Sequence, residues 1–173
     1  MDINIDKEHG YVSWHNGDNT VTRKVGRIER ACYHEDDNYV EVFIGEHGEE
    51  GYIVFSMDGD IVCSVDLIRQ QYVFLNFKDI LPERTKNVMF YKKRNALYCL
   101  YEYGGINAIR IICGDRSVTI DIPAGIHPQY MLAMDSRATL VAETDEADQY
   151  GRYRWNYTID SENKIICKRC LAY

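Results

Sequence analysis

The chain reads as an all-β fold built of repeated antiparallel hairpins, and three observations carry that expectation. Apolar and polar residues alternate over short stretches: in IVCSVDL, Ile61, Cys63, Val65 and Leu67 share one face and Val62, Ser64 and Asp66 the other. Four segments place Gly, Asp, Asn or Ser between two strand-like runs, namely GYVSWHNGDNTVTRKV, GYIVFSMDGDIVCSVDL, NAIRIICGDRSVTIDI and YRWNYTIDSENKIICKRC. Their turns fall near Gly17, Gly59, Asp115 and Ser161, about 42, 56 and 46 residues apart, the period of one unit of a repeat β protein.

Taken in order, INI, GYVSW and TVTRKV form an incomplete first module over residues 1–26 that lacks its first strand. IERACY and YVEVFI precede the hairpin at Gly59 and complete a four-stranded module at about 28–67. YVFLNF at 72–77 is left as one extra strand, although 66–81 also admits a short helical turn. NVMFY and ALYCLY, folded about Lys92 to Asn95, open a module at about 87–122; YMLAM and TLVAET, folded about Asp135 to Arg137, open the last at about 130–171. Units of this period most economically make a small, about four-module propeller-like fold, each sheet burying its faces against its neighbours. The alternative is an irregular β-sandwich or barrel.

At 173 residues, with three prolines and no Gly/Ser- or Pro-rich linker, the chain is expected to be a single all-β domain over 1–173. Apolar residues make up 46% and charged residues 27%, enough burial to offset chain entropy, which excludes intrinsic disorder. MDINIDKEHG has no basic start and apolar run, and no stretch approaches the roughly 20 apolar residues a membrane span needs. A cytoplasmic protein with no membrane partner is the expectation. The six cysteines sit mostly in apolar runs such as IVC, YCL and IIC and read as buried free thiols. Cys167 and Cys170 form a CxxC, but no second CxxC and no spaced His pair completes a zinc site. Residues three apart on a strand face opposite ways, so their sulfurs are expected to diverge.

If the modules are equivalent, the connections between their second and third strands leave on one side. These are GEHGEEG (45–51), EYGG (102–105) and ETDEADQYG (143–151). They carry Glu46, Glu49, Glu50, Glu102, Glu143, Asp145, Glu146 and Asp148 without a Lys or Arg, against a formal net charge of −7 for the whole chain. Like charges gathered on one face repel one another and attract a basic partner. Tyr103 and Tyr150 in the same loops supply aromatic anchors. The expected partner is a protein with a basic surface, in the manner of a small acidic inhibitor, immunity or anti-defence protein.

Nucleic acid is not expected as a partner, because phosphate contact needs a concentrated basic surface. No GxSxG, Walker loop, GxGxxG, HExxH or kinase signature occurs, so no catalytic residue, cofactor or metal is assigned and a non-enzymatic role is expected. His34-Glu35-Asp36-Asp37 reads as a polar hairpin tip rather than a cluster. If the modules close, Glu46-His47 and His127 approach each other, and these histidines mark an alternative, a ligand-binding or catalytic polar cleft. A further alternative is a self-assembling homo-oligomer, since an unpaired module edge invites a second copy.

Overall fold

The computed structural model describes every residue except Asp36, Glu49, Asn76 and Tyr173. Its strands form four antiparallel sheets, of three, six, four and four strands, in sequence order without a crossover. The chain divides into two compact units, Met1–Ile80 and Leu81–Tyr173. That division falls within DILPER, where composition carries no linker signal.

In the first unit β1 (Ile3–Asp6), β2 (Tyr11–Asn16) and β3 (Asn19–Lys24) form the three-stranded sheet. The six-stranded sheet runs β4 (Ile28–His34), β5 (Tyr39–Ile44), β6 (Gly51–Ser56), β7 (Ile61–Asp66), β8 (Gln71–Phe74) and β9 (Phe77–Ile80). Val12 and Trp14 pack with Ile28, Val40, Val42 and Phe55, all buried. Each such side chain withdrawn from water contributes on the order of 1.5–3 kcal/mol. The contact is also keyed by polar groups. The Trp14 indole N–H donates to the Met57 carbonyl at 2.9 Å, Arg23 Nε donates to the Gly59 carbonyl at 2.8 Å, and Asn16 Nδ2 donates to Asp58 Oδ1 at 2.7 Å. The β2–β3 hairpin thus grips the β6–β7 turn.

YVFLNF is not the single extra strand, nor the helical turn, that the sequence suggested. It contributes to the β8–β9 hairpin, which widens the sheet to six strands. Gln70 (φ 52°) and Leu75 (φ 49°) take the left-handed conformation where the chain reverses, and neither is a residue type that advertises a turn. Ile61 is exposed, whereas Cys63 and Val65 on the same alternation are buried. The new edge strand β9 is guarded: it is short, it carries Lys78 and Asp79, and Asp79 Oδ1 accepts the Ile80 amide at 2.8 Å.

In the second unit β10 (Thr85–Tyr91), β11 (Ala96–Tyr103), β12 (Ile106–Cys113) and β13 (Arg116–Asp121) form one four-stranded sheet. The other comprises β14 (Ile126–Met134), β15 (Arg137–Thr144), β16 (Arg154–Asp160) and β17 (Ile165–Leu171). Tyr98, Leu100, Ile109 and Ile120 share a core with Met131, Leu140, Tyr157 and Ile159. Ala96–Leu100 and Ala138–Ala142 are buried on both faces, which explains their unbroken apolar or small-residue runs. The Tyr91 hydroxyl donates to the Ser136 carbonyl, and Arg94 donates to Glu162 Oε1 at 3.1 Å. The hairpin tips of the two sheets therefore share one end of the unit. The β11–β12 turn and the β15–β16 connection leave from the opposite end.

Two expectations about cysteine are overturned. Cys63 and Cys99 are buried, but Cys113, Cys167 and Cys170 are exposed, because the latter three occupy the end of β12 and the outer edge strand β17. A bulge in β17 also reverses the facing of the CxxC: Cys167 stands opposite Thr158 and Cys170 opposite Asn156, with Arg169 as the extra residue. The two sulfurs do not diverge; they project from one face.

Candidate functional site

The residues expected to form an acidic face belong to both units: Glu46 and Glu50 to the first; Glu102, Tyr103, Glu143, Asp145, Glu146, Asp148 and Tyr150 to the second. Glu49 lies outside the described residues. So does Asp36 of the His34–Asp37 tip, where His34 Nε2 instead meets Glu41 Oε2 across the strand pair at 3.1 Å. Glu102 and Tyr103 are not in a loop at all. They close β11, opposite Asn107 and Ile106, and the turn is Gly104-Gly105 alone, with φ of 54° and 81°.

The acidic segments lack bases of their own, but neighbouring strands supply them. Arg27 donates to Glu50 Oε1 at 2.7 Å. Glu102 sits between Lys86 Nζ at 2.9 Å and Arg84 at 3.2 Å, and the Lys86 hydrogen bond foremost holds its carboxyl below the usual range. Tyr103 donates to Asp121 Oδ1 at 2.8 Å, which raises its phenol above its ordinary value and ties its hydroxyl down. The Glu46 carboxylate lies 4.0 Å from His47, both more than three-quarters exposed.

The β15–β16 connection is organised differently. Asp148 Oδ1 accepts the amides of Tyr150 at 2.8 Å and Arg152 at 3.0 Å, while Oδ2 accepts Arg152 Nε at 2.6 Å. Arg152 foremost, then the backbone amides, bring the Asp148 carboxyl down to about 2. Held there, the Arg152 guanidinium lies 4.6 Å from the centre of the Tyr150 ring and 5.9 Å from that of Trp155. The Lys168 ammonium lies 3.5 Å from the Trp155 ring centre. A ladder of cation and ring thus backs Tyr150, whose residue is 70% exposed. Around it, the Asp145 amide donates to the Gly125 carbonyl at 3.1 Å and Thr144 donates through its amide to the Tyr153 carbonyl at 2.9 Å. Glu143 and Glu146 are exposed and make no ion pair among the described residues. Tyr153 is also exposed, at 51%.

His127 Nε2 meets Asp145 Oδ1 at 2.5 Å, beside a depression of about 310 Å³ lined by Gly125, Thr144, Asp145 and Glu146. His47 does not line it. A groove of about 460 Å³ lies on the six-stranded sheet over Ile44, Ile53 and Val73, with Asp66, Arg69 and Lys78 around it, and neither histidine lines it. Among the described residues no group of three or more His, Cys, Asp or Glu converges as a metal cluster. No helix among them is long and apolar enough to cross a membrane.

Arg152 is the residue of this candidate site that the sequence reading passed over, and the signal was present. DQYGR sets an Asp ahead of a reversal and an Arg four residues on, a spacing at which one carboxylate serves both backbone and guanidinium. Arg27, Arg84 and Lys86 left no such signal, since they come from separate strands. No protein-family model matches the chain, and no curated protein shows significant similarity to it.

Proposed function

We propose that the protein is a non-enzymatic binding protein of the cytoplasm, and that the β15–β16 connection is the centre of a surface for a basic partner protein. The observation that carries this reading is Tyr150: a largely exposed aromatic ring on a loop already ordered by Asp148 and Arg152. An anchor held in its binding shape loses little entropy on association, and buried aromatics of this kind supply much of an interface's affinity. Glu143, Asp145 and Glu146 set negative charge around the ring, suited to steering a basic surface into place. Glu46, Glu50, Glu102 and Tyr103 belong to the same expected set, but their ion pairs and hydrogen bonds make them weaker contributors. The inhibitor, immunity or anti-defence type remains the class of protein with which this composition agrees.

The propeller-like arrangement is part of the same proposal. Within each unit the first strands of consecutive sheets lie side by side, β1 with β4 and β10 with β14, as blades meet at a propeller axis. An experimental structure in which the sheets share no axis overturns that arrangement.

The binding proposal is tested by capture from native lysate with the intact chain, a Tyr150→Ala variant and a Glu143→Gln/Asp145→Asn/Glu146→Gln variant. A partner retained by the intact chain is expected to be lost from Tyr150→Ala. It is also expected to weaken tenfold or more as salt rises from about 0.05 to about 0.5 M, in step with screening. Equal capture by all three proteins refutes the surface.

A further inference from the structure

The exposed CxxC on β17 has a geometry that strand alternation alone would deny it. Asn156 faces Cys170 and Thr158 faces Cys167 across the β16–β17 pair. Residues opposite one another in an antiparallel pair point the same way, and Asn156 and Thr158, two apart on β16, share a face. Cys167 and Cys170 therefore stand on that face together, separated like neighbours two apart on a strand, about 6.6 Å. The position of Asn156 Nδ2, 3.5 Å from Cys170 Sγ, agrees with this register.

We propose that Cys167 and Cys170 form a two-sulfur site for a thiophilic monovalent cation of the Cu(I) type. Two collinear metal–sulfur bonds of roughly 2.3 Å each span a gap that cysteines at this spacing close by leaning together. A disulfide needs Cα atoms within about 4.4–6.8 Å, so a direct S–S bond sits at the limit of its range, and a bridging ion fits better. Both thiols are free and exposed, so the site is open to solvent-borne or protein-carried metal. Ligand number selects the ion. Tetrahedral zinc requires four ligands, and no group of three or more His, Cys, Asp or Glu assembles among the described residues. Soft Cu(I) is satisfied by two thiolates.

Binding releases both thiol protons and leaves one net negative charge on the bis-thiolate complex.

The test uses the intact, fully reduced chain and Cu(I) supplied as its bathocuproine disulfonate complex. The chain is expected to withdraw one equivalent of copper, read as loss of the chelator's visible band. Cys167→Ser and Cys170→Ser are each expected to lower the affinity at least tenfold. Cys113→Ser, removing another exposed thiol, leaves it unchanged. Far-ultraviolet circular dichroism confirms that the serine variants keep the fold. Failure of the reduced chain to withdraw copper overturns the proposal, and so does equal withdrawal by a Cys167→Ser/Cys170→Ser double variant. Neither result bears on the Tyr150 surface, which has its own assay.

Discussion

Two connections of the same topological kind, 45–50 between β5 and β6 and 145–153 between β15 and β16, begin from similar acidic sequence and reach different structures. In the first, a tight turn at Glu46–Gly48 with His47 in the left-handed conformation (φ 55°) leaves Glu46 and His47 in solvent, and Glu50 folds back onto Arg27. Its shape is imposed from below, by Gly51, whose φ of 153° brings the chain against β7. In the second, one carboxylate, Asp148, collects two amides and a guanidinium, so the loop is ordered from within. Acid content measures neither outcome. What separates the two is whether a carboxylate is spent on the loop's own backbone or on an ion pair with a neighbouring strand.

The sharpest way to break the comparison is at Gly51. A Cβ there would run into the Val65 carbonyl oxygen, which is backbone and cannot swing aside. Gly51→Ala is expected to cost about 3 kcal/mol or more in urea denaturation, with the six-stranded sheet loosened. A loss below about 0.5 kcal/mol would mean that the first loop is not governed from the sheet.

Asp148→Ala acts on the second loop alone. It is expected to speed hydrogen exchange at the Tyr150 and Arg152 amides by at least tenfold and to weaken partner capture as Tyr150→Ala does, while the rest of the chain keeps its protection. Acid makes the same break without mutation. Because the folded pKa of Asp148 lies below its ordinary value of 3.8, its contribution is complete above that value and disappears as pH falls through about 2. Carboxyl titration followed by NMR should show Asp148 as one of the last side chains to protonate, and Arg152→Ala should return it towards 3.8.

The smallest effect belongs to Arg27→Ala. That pair is an exposed surface bridge, with the Arg27 side chain 70% accessible. Its loss is expected to cost under about 1 kcal/mol in denaturant titration and to leave partner capture unchanged. A marked drop in capture would move the first loop into the binding surface.

The elements themselves were readable where local chemistry settles them. Asn16-Gly17 and Asp58-Gly59 mark their hairpins because such residues accept positive φ or turn geometry cheaply, and alternation about them brings out β2, β3, β6 and β7. The turns on either side of β8 stayed hidden because Gln70 and Leu75 take positive φ there without being residue types that favour it. At the candidate site, the acids and Tyr150 could be picked out by residue type, and the Asp148–Arg152 clamp by its spacing.

The sequence by itself determined the all-β class, the order of hairpins and the acid-rich connections, since turn preference and two-residue periodicity act over a few neighbouring residues. The tertiary structure decided which acids keep their charge free, as with Arg27, Lys86 and Arg84 reaching Glu50 and Glu102 from other strands. It also decided that Cys167 and Cys170 share a face, because one unpaired residue, Arg169, shifts the register of everything after it. Both depend on pairing between distant strands, and long-range register is set by the packing of whole sheets rather than by any short stretch of chain.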